Sequence, residues 1–137
     1  MIVDSNILVD VLNPRDDRSL SVANAYLMLC GTNTPKINAI IFAEACSRFT
    51  SLPKAEQAVS DLNLAVVDFT LPEAFRAGQA FQLYRNNRGP RTSILPDFLI
   101  GAQASVRGWP ILTRDPARFA SYFPEVELID PLKVEND

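Results

Sequence analysis

The chain of 137 residues contains no histidine, only two cysteines and a single tryptophan. Without histidine it can have no Ser-His-Asp triad, no imidazole base and no His-ligated zinc, and Cys30 and Cys46 lack the CxxC-type spacing of a zinc or redox motif. Any chemistry must therefore run on carboxylates, hydroxyls, amides or arginine, and the cysteines read as small buried apolar residues. Long hydrophobic runs are missing too: none approaches the ~20 residues of a membrane span. The opening MIVDSNILVDVL has neither a basic n-region nor a small-residue cleavage site. The expectation is a soluble, cytoplasmic protein with no membrane partner. With 47% hydrophobic and 21% charged residues, the chain is long enough for one real core and too short for two ordinary domains, so residues 1–137 read as a single domain.

Net charge is −3 and the pI is about 4.9, which ordinarily argues against a nucleic-acid partner. The charge is unevenly spread, however. No acid lies between Glu73 and Asp97, an interval holding Arg76, Arg85, Arg88 and Arg91, whereas the C-terminal stretch sets Glu125, Glu127, Asp130, Glu135 and Asp137 against Lys133 alone.

Short β-type runs alternate with helical patterns. MIVD, PKIN, LAVVDF, WPILT and VELID read as strands. Helices are expected over SNILVDVL, SLSVANAYLMLC with Leu20, Ala23, Leu27 and Cys30 inward, AIIFAEACSRF, PKAEQAVSDL behind Pro53, and TLPEAFRAGQAFQLYR. That last segment opens with a Thr70/Glu73 capping box and shows Leu71, Phe75, Gly78 and Phe81 on one face. NNRGPRTS reads as a loop, Pro96 starts a further helix, and DPARFASYF forms a short one. Alternation of this kind implies an α/β fold, a three-layer α/β/α sandwich around a mostly parallel sheet, whose functional site lies beyond the carboxyl ends of the strands.

Asp4 and Asp115 each follow a strand of this pattern, while Glu44 and Asp97 lie in helical segments made otherwise of apolar and small residues. Asp97 is the only charge in TSILPDFLIGAQA. Each acid has an ordinary structural reading. Asp4 and Asp115 can cap helices, Asp97 can favour a helical first turn, and Glu44 can pair with Arg48 one turn on. Capping does not explain Glu44, which lies past its first turn, whereas a cation shared by several carboxylates explains all four at once. In such a metal-free cluster, neutralising Asp4 or Asp97 should relieve repulsion and leave the fold as stable or more so. Gly101, one turn beyond Asp97, reads as a close-packing position, and Trp109, Phe119 and Phe123 as core or oligomer contacts.

VDSNILVDVL resembles the opening of a PIN domain, with its apolar strand, Asp, hydroxyl residue, Asn and apolar helix start; Glu44 in IIFAEACSRF, Asp97 in LPDFLIGAQA and Asp115 in ILTRDPARF continue the pattern in order. The resemblance covers essentially the whole chain and is strongest to the VapC-type toxins of toxin–antitoxin pairs. It implies a metal-dependent endoribonuclease with Mg²⁺ or Mn²⁺ held by Asp4, Glu44, Asp97 and Asp115, as suits a pocket of oxygen ligands alone. Asp4 and Asp97 are expected as principal ligands, with Glu44 and Asp115 holding a water or a second ion. Asn6 and Thr113 are expected to orient the carboxylates, with Ser5 divided between that role and a simple turn hydroxyl. Arg85, Arg88, Arg91 and Arg114 are candidates for meeting RNA phosphates. The resemblance further implies a homodimer and inhibition by a small VapB-like antitoxin. Two other classes stay open: a PIN fold that binds or scaffolds without turnover, and a receiver-type phosphoacceptor domain, for which no suitably placed strand-end lysine is found.

Overall fold

The first strand, β1, is two residues long, Ile2–Val3, and both are completely buried. In the computed structural model, which describes residues 1–90 and 95–134, the chain continues through α1 (Ser5–Leu12), α2 (Asp17–Leu29), β2 (Lys36–Asn38), α3 (Ala39–Cys46), α4 (Leu52–Asp61), β3 (Ala65–Val67) and α5 (Leu71–Asn86). It then forms α6 (Pro96–Arg107), β4 (Ile111–Leu112), α7 (Ala117–Ala120), β5 (Leu128–Ile129) and a closing 3₁₀ turn, Pro131–Lys133. All described strand pairings are parallel, in the order β3-β2-β1-β4-β5. The chain thus steps outward from β1 to β3 and returns across the sheet to β4. Right-handed crossovers then put the helices of the two halves on opposite faces, giving the three-layer α/β/α sandwich. Packing agrees: α1 touches α2 and α3, whereas α5 lies on α6 and α6 on α7. The reversal between β1 and β4 is the topological switch point, where such sheets open a crevice. Among the described residues no helix is long and apolar enough to cross a membrane.

Helix α2 turns a different face inward from the one its apolar periodicity suggests, and α5 does so except at Phe81. Helix α2 buries Ser19, Val22, Ala25 and Tyr26 and leaves Leu20 50% and Leu27 64% exposed. Helix α5 buries Glu73, Ala77, Ala80 and Phe81, with Leu71 85% and Phe75 70% exposed. In both, polar tethers and small residues decide the matter. Tyr26 donates its hydroxyl to the Leu62 carbonyl at 3.0 Å, and the buried alanines of α5 let it pack closely on α6. Loop NNRGPRTS is described as far as Pro90; its remainder, with Arg91, lies outside the described residues.

Gly101 of α6 is required by its packing on Phe123: a Cβ built there would run into that ring, which is itself 2% exposed. Gly101→Ala is therefore expected to destabilise the fold by about 1–3 kcal/mol, the ordinary cost of overpacking, measured as a lower urea midpoint.

A second stability feature is ionic. The Glu73 side chain is fully buried, closes the capping box on Thr70 and accepts from Arg107 Nε at 2.8 Å. Burial pushes its pKa up, but the Thr70 hydroxyl and backbone N–H and the Arg107 guanidinium outweigh burial and hold the carboxyl below its usual range. A carboxyl with a depressed folded-state pKa binds its proton more readily when unfolded. Its stabilisation is complete above the unfolded-state value and disappears as pH falls through the folded-state one. Melting temperature measured from neutral pH downward should therefore drop less steeply in Glu73→Gln than in the wild type, with the difference confined to the acidic range.

Candidate metal centre

The switch point gathers the side chains singled out in the sequence. Asp4 directly follows β1 and is the N-cap of α1: its Oδ1 accepts from the Ser5 backbone N–H at 2.8 Å, and the residue is completely buried. Thr113 directly follows β4, the neighbouring strand, and its hydroxyl donates to Asp4 Oδ2 at 2.8 Å. The same Thr113 oxygen accepts from the Asp115 backbone N–H at 3.1 Å and is approached by Asn6 Nδ2 at 3.5 Å. One buried hydroxyl thus ties the ends of both central strands together and fixes the Asp4 rotamer. Ser5 Oγ stands 3.5 Å from Asp4 Oδ1.

Asp97 is the second residue of α6. Leu95 is the N-cap and makes no side-chain cap bond, and the Asp97 carboxylate lies in the first turn, where the helix dipole favours negative charge. Its neighbour Phe98 is clamped by Phe81, Tyr84 and Tyr122, with ring centroids 5.8, 5.4 and 5.6 Å away. That aromatic cluster fixes where the helix, and hence Asp97, begins.

Glu44 projects from α3, is exposed, and lies within the electrostatic reach of Asp4 and Asp97. Partial burial raises its pKa, and the charges of Asp4 and Asp97 raise it further; the Ser5 hydroxyl and the Arg118 cation act in the opposite sense without cancelling the rise. Asp115, also exposed, bears on the same pocket through its attraction to Arg118.

Arg118, on α7, joins these acids and is not among the site residues singled out in the sequence. Its Nη2 stands 2.6 Å from Asp97 Oδ1 and 3.2 Å from Asp4 Oδ2, and its Nε donates to Asp97 Oδ2 at 3.2 Å. Desolvation opposes the charge on Arg118, but attraction to Asp4, the bond to Asp97 and the charges of Asp97 and Asp115 together raise its pKa above the ordinary arginine value. Among the described residues no group of three acidic or cysteine side chains is arranged to hold a metal ion. The donor chemistry nevertheless fits a hard divalent cation, because the pocket offers carboxylate and hydroxyl oxygens and already holds a cation between two of its acids. A usable sequence signal for Arg118 was the requirement that carboxylates collected in one place be neutralised by something.

Of the basic candidates, Arg85 lies in the last turn of α5 and Arg88 follows it with a left-handed backbone (φ 64°); both are exposed. Arg114 turns to α1 instead, with its Nε 3.1 Å from Asp10 Oδ2, too far off line for a hydrogen bond. Asp10 is buried and also accepts from Arg15 Nη1 at 2.8 Å. This pairing locks the segment after β4 to α1. A further buried chain, in which Asn38 donates to Gln103 at 2.9 Å and Gln103 to the Asp68 carbonyl at 3.1 Å, joins the carboxyl ends of β2 and β3 to α6. Neither tether was anticipated from the sequence.

Comparison with known proteins agrees with this fold. Among solved structures, FitAcB from Neisseria gonorrhoeae is similar, with a TM-score of 0.69 at 20% identity over 97% of this chain and 99% of that one. VapBC2 from Rickettsia felis, bound to a DNA fragment from their promoter, has a TM-score of 0.70 at 21% identity, covering 94% and 96%. A toxin–antitoxin complex from Klebsiella pneumoniae has a TM-score of 0.69 at 19% identity, covering 97% and 98%. No curated protein matches the chain in sequence. At such identities the structural likeness is one of fold, but the sequence model of the PIN domain matches residues 1–122, and with the acids of its pattern standing around the switch point, the chain belongs to the PIN domain family.

Proposed function

We propose that the chain is a metal-dependent endoribonuclease of the VapC toxin type, which hydrolyses RNA phosphodiester bonds and is silenced by a cognate VapB-like antitoxin. The observation that carries this reading is the pairing of Asp4 and Asp97 around one cation at the switch point, with Glu44 within their electrostatic reach. Toxin–antitoxin complexes among the structural relatives support the partner; a homodimer in the cytoplasm completes the proposal.

Asp4, Asp97, Glu44 and Asp115 would hold Mg²⁺ or Mn²⁺, which when bound acidifies a water and neutralises phosphate charge. Thr113 and Asn6 keep the carboxylates in place, with Ser5 bridging towards Glu44. Glu44, exposed beside Asp4 and Asp97, would hold or orient the attacking water. Arg85, Arg88 and Arg91 would contact RNA phosphates, while Arg114 acts at the rim only if it leaves Asp10.

Because the chain has no histidine and the proposed nucleophile is water, the products should carry 5′-phosphate and 3′-hydroxyl ends. End-group analysis of RNA cut by the purified protein checks this, with EDTA expected to stop cleavage and added Mg²⁺ or Mn²⁺ to restore it. Cyclic 2′,3′-phosphate ends would exclude the mechanism. The Arg118 contacts also favour a second reading, a PIN fold that binds without turnover, since a self-neutralised pocket is what an inactive site would retain. Absence of metal-dependent cleavage in the same assay would select it.

A further inference from the structure

We infer that Arg118 and the divalent ion exclude one another: the guanidinium is a built-in counter-ion that closes the metal-free pocket and must swing out for an ion to bind. The inference rests on the metal-dependent reading above. Its basis is geometric. One nitrogen, Nη2, reaches both buried Asp4 and partly exposed Asp97, at 3.2 and 2.6 Å, so the oxygens an ion would share are already engaged by a positive group. A cation brought to those oxygens meets like charge at a few ångströms in a partly desolvated pocket, where repulsion is only weakly screened.

The local structure lets the arginine leave. Its side chain is 30% exposed at the pocket mouth, and it is carried by a helix of four residues in which Ala117 and Ala120 face solvent. The neighbouring Phe119 is completely buried and anchors α7 whichever way Arg118 points. Release therefore needs rotamer changes and no refolding. It does break the pairing with Asp97 and Asp4, so part of the ion's binding free energy goes into displacing the guanidinium. The apparent affinity falls by the fraction of molecules whose pocket is open.

Metal binding by the whole purified chain tests this without reference to cleavage. Mn²⁺ affinity, measured by calorimetry, should be tighter in R118Q by on the order of tenfold or more, and tighter by a smaller factor in R118K, which keeps the charge but loses the fork that spans two carboxylates. Metal-free R118Q should melt below the wild type and gain more on Mn²⁺ addition. In the wild-type protein, titration with diamagnetic Mg²⁺ should move the Arg118 Nε–H resonance and speed its exchange with water as the bond to Asp97 opens. This readout, together with R118K, decides the question if R118Q fails to fold. Should the wild type bind Mn²⁺ while R118Q or R118K binds it no more tightly, or should Mg²⁺ leave the Arg118 resonance unmoved, the exclusion is wrong and the metal site stands. Failure of the wild type and both variants to bind Mn²⁺ removes the metal reading and this inference with it.

Discussion

Asp97→Asn is expected to lower the rate of RNA cleavage by on the order of a thousandfold, the scale on which loss of one preorganised electrostatic group acts, while leaving the protein folded. Asn is isosteric and keeps its place in the first turn of α6 behind Pro96, where Asp97 makes no capping bond that the helix would lose. What disappears is the negative charge facing Asp4 and Glu44. Stability should fall slightly, because the two-point bond from Arg118 is weakened. Both side chains are about a third exposed, at 30% and 33%, so solvent screening limits that loss to about 1 kcal/mol or less. Cleavage assays beside thermal melts measure the two effects on one sample. Wild-type cleavage with a lowered melting temperature would reduce Asp97 to a helix-dipole partner of Arg118.

The elements were legible in the sequence because their signals are local. A Thr70/Glu73 capping box, a proline at Pro96, and Gly108 with its left-handed backbone at the end of α6 are all readable within a few residues. The acids were legible for a related reason: each sits beside a strand end or in a stretch of helix with no other charge nearby, so its oddity shows without knowledge of its neighbours. Inward faces were harder. Helix α2 carries apolar residues on two sides, and periodicity alone cannot say that Tyr26, with its tether to Leu62, turns inward rather than Leu27. Pairings distant along the chain left no local trace. Arg118 and Asp4 are separated by 114 positions, and Asn38 and Gln103 by 65. In RDPARF, Arg118 looks like any solvated arginine on a short helix until the sheet brings β1 beside β4.

That distant pairing reverses the sign of one expectation. A metal-free cluster of bare acids should gain stability when Asp4 is neutralised, yet Asp4 has no uncompensated charge to relieve. Its oxygens accept from the Ser5 N–H and the Thr113 hydroxyl at 2.8 Å each and face Arg118 at 3.2 Å, and Asp4 itself has zero exposure. Asp4→Asn keeps the shape, but its NH2 group must replace either Oδ1, which accepts from the Ser5 N–H, or Oδ2, which meets both the Thr113 hydroxyl and Arg118. The hydroxyl can turn to accept; the backbone N–H and the guanidinium have only donors. Arg118 keeps Asp97 as its charged partner, but the charged bond that bridges Asp4 to α7 is gone. The expected loss is about 2–4 kcal/mol, as for breaking a buried hydrogen-bonded ion pair, or a melting temperature lower by roughly 6–15 °C for a domain of this size. Cleavage should disappear as it does in Asp97→Asn. The two variants thus share a catalytic defect and differ in stability, a contrast that follows only if Asp4 is both ligand and cap. Asp4→Asn with wild-type cleavage would leave Asp4 a cap alone, and Asp4→Asn with an unchanged or raised melting temperature would show that Arg118 does not neutralise it in solution.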